Sequence, residues 1–279
     1  MSALLGLLAS VLWGGADYAG GIAARRTPVA WVILTSQAAG VLLFAGAGIV
    51  AELTVGLAVP HRALAWGALG GLAGVGALAA FYRALAIGTM GVVAPVAAMG
   101  VAIPVIASVA GGERPTIAQG TGIVIGAVGI LLASGPELSG GAASRRPVLL
   151  AAIAGLGFGA VILAVAKGSE SAVLPTLLVQ RMVSVTIASI AVLMLSPRPR
   201  PARRDLPMLA GVGVGDGGAN AAFAAASVSG LVSVASVLSS LYPVVTAVLA
   251  WRLAGERLRR VQVVGVVAAM AGVVLLAAG

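Results

Sequence analysis

The chain has 279 residues, no cysteine and a formal net charge of +9; 60% of its residues are apolar and only 9% are charged. A soluble domain carries about 25% charged residues, and a soluble protein this apolar would lack the polar atoms to cover its surface, so a mean hydropathy of +1.12 points to a bilayer as solvent. The missing cysteines exclude disulfides, thiolate metal sites and a cysteine nucleophile, and the basic residues do not gather into the face that nucleic-acid binding needs.

Apolar runs of about 20 residues predict membrane-spanning helices. They cover residues 2–22, 28–50, 63–88, 90–111, 115–134, 148–166, 172–196, 206–228, 231–251 and 259–277. The first run has no basic flank, and similar runs recur along the whole chain, so it reads as a span and not as a cleaved signal. Short polar separators divide the runs at Ala24 to Thr27, His61-Arg62, Gly112 to Pro115 and Pro197 to Asp205. Two further turns, Ala86 to Thr89 and Ser227 to Gly230, carry no charge and are the softest divisions. A membrane β-barrel would require alternation with period two, and these runs are continuous instead. The expected class is therefore an all-α integral membrane protein of about ten transmembrane helices.

Residues 138–147, rich in Gly, Ser and Ala, read as a linker that cuts the chain nearly in half. The two sides repeat. Gly112-Glu113-Arg114 and the helix after it match Gly255-Glu256-Arg257 and its helix at a shift of 143 positions. Gln119, Gly122 and Gly129 fall on Gln262, Gly265 and Gly272 at the same shift. Ala79-Ala80-Phe81 matches Ala221-Ala222-Phe223, and the segment from Leu4 to Gly14 matches that from Leu149 to Gly159. The chain is thus expected to hold a first five-helix repeat at 1–137 and a second at 148–279. Because five is odd, the halves enter the membrane from opposite sides, an inverted repeat that in transporters places a binding site near the midplane.

Ten spans in two halves, Leu12-Trp13-Gly14 in the first helix and Gly-Glu-Arg before the last helix of each half together resemble the EamA-type branch of the drug/metabolite transporter superfamily. The resemblance covers essentially the whole chain. It implies export or exchange of small metabolites such as amino acids, nucleosides, sugar derivatives or toxic compounds, and it names no cargo. It also implies that the fifth and tenth helices lie outside the cavity. Asp17 and Asp216 inside spans depart from the common pattern.

Charged residues inside spans cost about 2.5–3.5 kcal/mol each on insertion scales, which makes them functional candidates. Asp216 lies near the middle of the eighth span and is a candidate proton carrier. Arg181 in the seventh span is its natural partner, or a ligand for a substrate carboxylate or phosphate. Trp13 and Asp17 are four residues apart on one helical face, followed by Tyr18; a gating role for Asp17 competes with a loop pair to Arg25. Gln37, Gln180, Asn220 and Tyr242 complete the candidate cavity residues, each able to bond cargo or a neighbouring helix. Pro95, Pro104, Pro175 and Pro243 fall within spans, where proline removes a backbone hydrogen bond. Pro95 and Pro104 in the fourth helix and Pro243 in the ninth occupy corresponding helices and are hinge candidates, static kinks being the alternative. Gly67/Gly71, Gly122/Gly126 and Gly213/Gly217 read as close-packing positions. Glu113 and Glu256 read as loop partners of Arg114 and Arg257, Arg83 as an arginine snorkelling to the interface, and Trp31, Trp66 and Trp251 as an interfacial belt.

The loops after spans one, five, seven and nine hold twelve arginines, against Arg62, Arg114 and Lys167 in the opposite loops. The positive-inside rule then puts both termini outside the cytoplasm, whereas the resemblance implies both inside. The dominance of Arg over Lys hints at a bacterial source and a cytoplasmic membrane.

The leading functional reading is a secondary transporter that moves a small molecule by alternating access, with export favoured and protons as a candidate coupling ion. Its partners would be that substrate and membrane lipid, with no nucleic acid; a monomer is compatible with the pattern. No cofactor and no metal are expected, and the absence of a P-loop removes direct drive by ATP. A flippase for a lipid-linked metabolite is the alternative within the class. An intramembrane enzyme is disfavoured because the only histidine, His61, sits in a loop and no metal-ligand cluster is visible. A receptor is disfavoured because no extramembrane domain is present.

Overall fold

The computed structural model describes residues 2–56, 58–103, 116–138, 142–228, 238–239 and 241–278. The described residues form ten α-helices and no strand. They are α1 (Ser2–Ala24), α2 (Val29–Val55), α3 (His61–Ile87), α4 (Met90–Ala98), α5 (Ile117–Leu138), α6 (Ala142–Ser169), α7 (Val173–Leu195), α8 (Leu206–Val228), α9 (Tyr242–Ala254) and α10 (Arg260–Ala278). A 3₁₀ turn at Met99–Val101 continues α4, and another at Arg203–Asp205 leads into α8. Stretches in α2, α3, α6 and α7 are long and apolar enough to cross a membrane by themselves: Val29–Thr54, His61–Ile87, Arg145–Ser169 and Val173–Leu195.

Local chemistry sets the helix ends. Pro28 and Pro60 stand immediately before α2 and α3, and Pro243 sits in the first turn of α9. Proline costs nothing there, because a first-turn N–H has no intrahelical acceptor. At the other ends, Gly56 (φ +78°) and Gly255 (φ +68°) close α2 and α9 in the left-handed region that a side chain would resist. Hydrophobic side chains such as Leu4, Leu53, Leu149, Leu193 and Met194 stand more than half exposed on the helix exteriors. Water would penalise such a surface, and hydrocarbon would not.

The helices pair in a fixed pattern. α5 lies along α10, α3 against α6 and α7, α1 against α8 and α9, α2 against α7 and α8, and α4 against α6 and α9. The main core gathers Phe81, Tyr82, Leu85, Met90, Val92 and Val93 from α3 and α4 with small residues of α1 and α6. Glycine permits several of these contacts. A Cβ at Gly71 would approach the Gln180 carbonyl oxygen to 2.6 Å, one at Gly272 would lie 2.5 Å from Gly126 Cα, and one at Gly213 would overlap the Ser36 carbonyl. Backbones pack against backbones here, the way membrane helices associate when hydrophobic drive is lacking.

Three sequence expectations change. Residues 142–147 form the first turns of α6 and not a linker, so the break between halves narrows to the segment after Leu138. Pro243 opens α9 and so does not kink a helix interior, and Pro175 lies in the first turn of α7, where it likewise removes no hydrogen bond. Pro95 is inside α4 as expected. Pro104, Gly112, Glu113 and Arg114 lie outside the described residues.

The helices are tied at two ends. At one, Arg25 Nη2 donates to Glu256 Oε1 at 2.8 Å, Gly91 N–H donates to Glu256 Oε2 at 3.4 Å, and Trp31 Nε1 donates to the Pro197 carbonyl at 2.9 Å. Glu256 was expected to pair with its neighbour Arg257. The left-handed turn at Gly255 instead swings it toward Arg25 and the start of α4. At the other end Glu170 accepts from Lys167 at 2.8 Å and faces Arg62 at 3.7 Å. The Lys167 hydrogen bond holds Glu170 below the usual carboxylate range, but these groups are exposed and orient more than they stabilise. Arg83 is exposed, as snorkelling requires.

Gly213→Val forces the α2 and α8 backbones apart, and overpacking of this kind costs about 1–3 kcal/mol. Its apparent Tm in detergent is expected to fall by several degrees. Gly211→Ala, whose added Cβ meets nothing within 4 Å, is expected to leave Tm unchanged. Equal Tm values for the two variants would contradict the packing described.

Candidate functional site

A cavity of about 110 Å³ lies among α1, α2, α3, α6, α7, α8 and α9. Its polar side chains come from a few helical faces. Gln180, Arg181 and Ser184 project from α7, Asp216 and Asn220 from one face of α8 at i,i+4 spacing, Gln37 from α2, and Trp13 and Asp17 from one face of α1.

Arg181 is the centre of the arrangement. Its side chain is 3% exposed, and its Nη1 donates to Asp216 Oδ2 at 2.5 Å and to Gln37 Oε1 at 2.7 Å. Asn220 Nδ2 donates back to the Asp216 carbonyl at 2.7 Å and to its Oδ1 at 3.2 Å, which fixes the carboxylate for Arg181. Gly40 makes room for the arginine: a Cβ there would lie 3.2 Å from Arg181 Cδ. Three buried polar atoms of the cavity residues have no hydrogen-bond partner among the described residues: Arg181 Nε, Arg181 Nη2 and Gln180 Oε1. Asp17 lines the same cavity, and its carboxylate makes no hydrogen bond or ion pair among the described residues.

The apolar part of the wall is aromatic. Trp13 packs against Phe223 at a ring distance of 5.9 Å and edge-on to Tyr242 at 6.1 Å. Phe158 meets Phe81 edge-on at 5.2 Å behind the wall.

Eight residues singled out from sequence therefore meet at one cavity: Trp13, Asp17, Gln37, Gln180, Arg181, Asp216, Asn220 and Tyr242. Tyr18 does not. One residue past Asp17, it turns about 100° around the helix and packs, half-buried, against the main core. Asp17 is not a loop partner for Arg25, which is engaged by Glu256. Sequence reasoning missed Phe158, Phe223 and Ser184. The internal repeat held a signal for two of them, since Phe158 stands where Trp13 stands in the first half and Phe223 where Phe81 stands. Among the described residues no group of three or more His, Asp or Glu could hold a metal ion. The geometry suits reversible binding of a small polar molecule: a buried fork of donors, a free carboxylate and an aromatic wall.

The family model for the EamA-like transporter family matches residues 145–278. No curated protein matches the chain. One solved crystal structure of a protein is similar over 98% of this chain and 95% of that chain, with a TM-score of 0.67 and 18% identity. At that identity the likeness speaks for the fold alone. Over residues 145–278 the chain is thus similar to the EamA-like transporter family, and its long apolar helices are those of an integral membrane protein.

Proposed function

We propose that this protein is a secondary transporter that carries a small molecule by alternating access, with ten spanning helices arranged as two inverted five-helix repeats, α1–α5 and α6–α10. The observation that carries the reading is the position of the cavity. The central guanidinium belongs to the second half and bonds Gln37 of the first, so the site exists only where the halves meet. The helix pairing supports the repeat. Exchanging each helix with the one five places away turns α1–α8 into α6–α3, α2–α8 into α7–α3 and α1–α9 into α6–α4, while α2–α7, α4–α9 and α5–α10 map onto themselves; all of these pairs occur. A pseudo-two-fold axis in the membrane plane is the geometry on which halves rock about a fixed midplane site. In this frame Arg25–Glu256 and Trp31–Pro197 join the halves at one face of the membrane.

Export of the bound molecule is the favoured direction, with the protons of Asp17 and Asp216 as the candidate coupling charge. Asp216 is committed to Arg181, whereas Asp17 is free to take and release a proton. Among the described residues, the other ionisable groups around them are Arg181 from α7, Tyr242 from α9 and Tyr82 from α3.

The absence of cysteine makes a direct test simple. Ser184→Cys places one near-isosteric thiol in the cavity wall. A membrane-impermeant maleimide is expected to label it from both sides of the membrane, in vesicles of opposite orientation. Arg25→Ala is expected to raise labelling severalfold from the face where α1 ends. Labelling from one side only would sink alternating access.

Asp216→Ala leaves a buried arginine without its counter-charge, which costs about 3–5 kcal/mol; a large fall in Tm is expected. The double variant Arg181→Met/Asp216→Leu removes both charges and is expected to recover most of that Tm while losing substrate-dependent transport. A double variant that transports as wild type would take the site out of the mechanism.

A further inference from the structure

We propose that the crevice between α9 and α10, at the arginine-rich face, holds one anionic phospholipid, its phosphate on Arg257 and an acyl chain against Trp251 and Val263. The inference needs the chain to sit in a bilayer and does not depend on how the central cavity works.

The crevice follows from how the helices pair. α4 packs against both α9 and α10, and among the described residues α9 and α10 have no comparable pairing with each other. The gap left between them is about 580 Å³, against about 110 Å³ for the central cavity. Gly91 of α4 and Leu258 form its floor, and a Cβ on Gly91 would lie 3.2 Å from Leu258 Cδ1. Ala247 and Trp251 of α9 line one side and Val263 of α10 the other. Exposed apolar side chains continue both sides away from the loop. Val248 and Val244 share a helical face with Trp251, and Val267 shares one with Val263, and all five are exposed. Hydrocarbon covers such a surface without penalty.

The mouth of the crevice supplies charge. Arg257 lines it, and the Arg252 guanidinium stacks over the Trp251 ring at 4.9 Å from its centre. Glu256 also lines it, but that carboxylate is already held by Arg25 and by the Gly91 N–H. Among the described residues Arg252 and Arg257 have no acidic partner, and Arg259 and Arg260 follow in the chain. A net positive rim above an apolar cleft is complementary to a phosphate joined to acyl chains. A guanidinium takes a phosphate through two parallel hydrogen bonds, and tryptophan favours the depth of the headgroups. A free anion would meet the rim and leave the cleft bare. A zwitterionic lipid would fill the cleft but bring its own cation to the arginines.

The internal repeat shows that the fold does not demand this rim. At the shift of 143 positions Arg257 matches Arg114, but Trp251 and Arg252 fall on Ser108 and Val109. The tryptophan and the arginine stacked on it belong to the second half alone.

Trp251 is 56% exposed, so its fluorescence reports the lipid beside it. The purified full chain is placed in phosphatidylcholine nanodiscs with a minor fraction of lipid brominated on its acyl chains, either phosphatidylglycerol or phosphatidylcholine. Bromine quenches a tryptophan that it touches, and Trp251→Phe identifies the share of the signal due to this residue. Brominated phosphatidylglycerol is expected to quench that share severalfold more than the same fraction of brominated phosphatidylcholine. Arg257→Gln is expected to raise the fraction of phosphatidylglycerol needed for half-quenching about fivefold, the effect of one basic residue against an anionic lipid. Arg200→Gln, on the same face but outside the crevice, is expected to leave it unchanged. Both arginines are exposed, and both variants are expected to keep the wild-type Tm. Equal quenching by the two lipids in the wild-type chain overturns the proposal. An equal loss in Arg257→Gln and Arg200→Gln overturns it as well, because the attraction then belongs to the whole face. Relief of quenching by millimolar inorganic phosphate would make this a site for a free anion and overturn the lipid.

Discussion

A buried guanidinium governs the middle of this protein. Removing a charge from water costs several kcal/mol even after the protein relaxes, and Arg181, 3% exposed, is tolerable only because Asp216 and Gln37 reach it. Three helices must converge for that to happen, α2, α7 and α8. Their convergence in turn demands small residues at the crossings. Gly213 of α8 rides on the Ser36 carbonyl of α2, Gly40 of α2 yields to the arginine stem, and Gly71 of α3 lets α7 settle against it. The high glycine content is thus tied to the charge: side chains at these places would hold the helices too far apart to close the ion pair.

The same interaction shapes the cavity. Because Asp216 meets Arg181 at only one nitrogen, the pair is neutralised without being saturated. Asn220 holds the carboxylate in that one-sided pose from a turn away. The side-on edge of the guanidinium stays buried and without a hydrogen-bond partner. A fully bidentate ion pair would be a structural strut. A one-sided pair is a structural strut that leaves two guanidinium nitrogens over.

Much of the fold was legible in the sequence, and for a specific reason. In hydrocarbon a backbone must satisfy itself within a helix, so the length of an apolar run nearly fixes the element. Asp17, Arg181 and Asp216 stood out because lipid penalises them, and charge complementarity alone suggested the Arg181–Asp216 pair. What sequence could not supply was the third dimension. Gln37 as the other acceptor for Arg181 depends on how α2 crosses α7. The choice of Arg25 over Arg257 by Glu256 depends on the turn at Gly255, and the turning of Tyr18 away from the cavity depends on which face of α1 meets α8. Pro243 illustrates a different limit. A proline reads as a kink inside an apolar run, but whether the helix begins at that residue is set by the chain before it.

Glu256 holds two things at once: the guanidinium of Arg25 and the amide at the start of α4. A carboxylate with both oxygens engaged behaves as a latch and not as a string of separate bonds. When it lets go, the loop after α1 and the first turn of α4 lose their counter-charge together, and both are left electropositive at the same moment. Partial release therefore gains little, because a half-open junction keeps the desolvation cost and forfeits half the attraction. At this face of the molecule one carboxylate thus ties the loop after α1 and the start of α4 to a single residue of the other half.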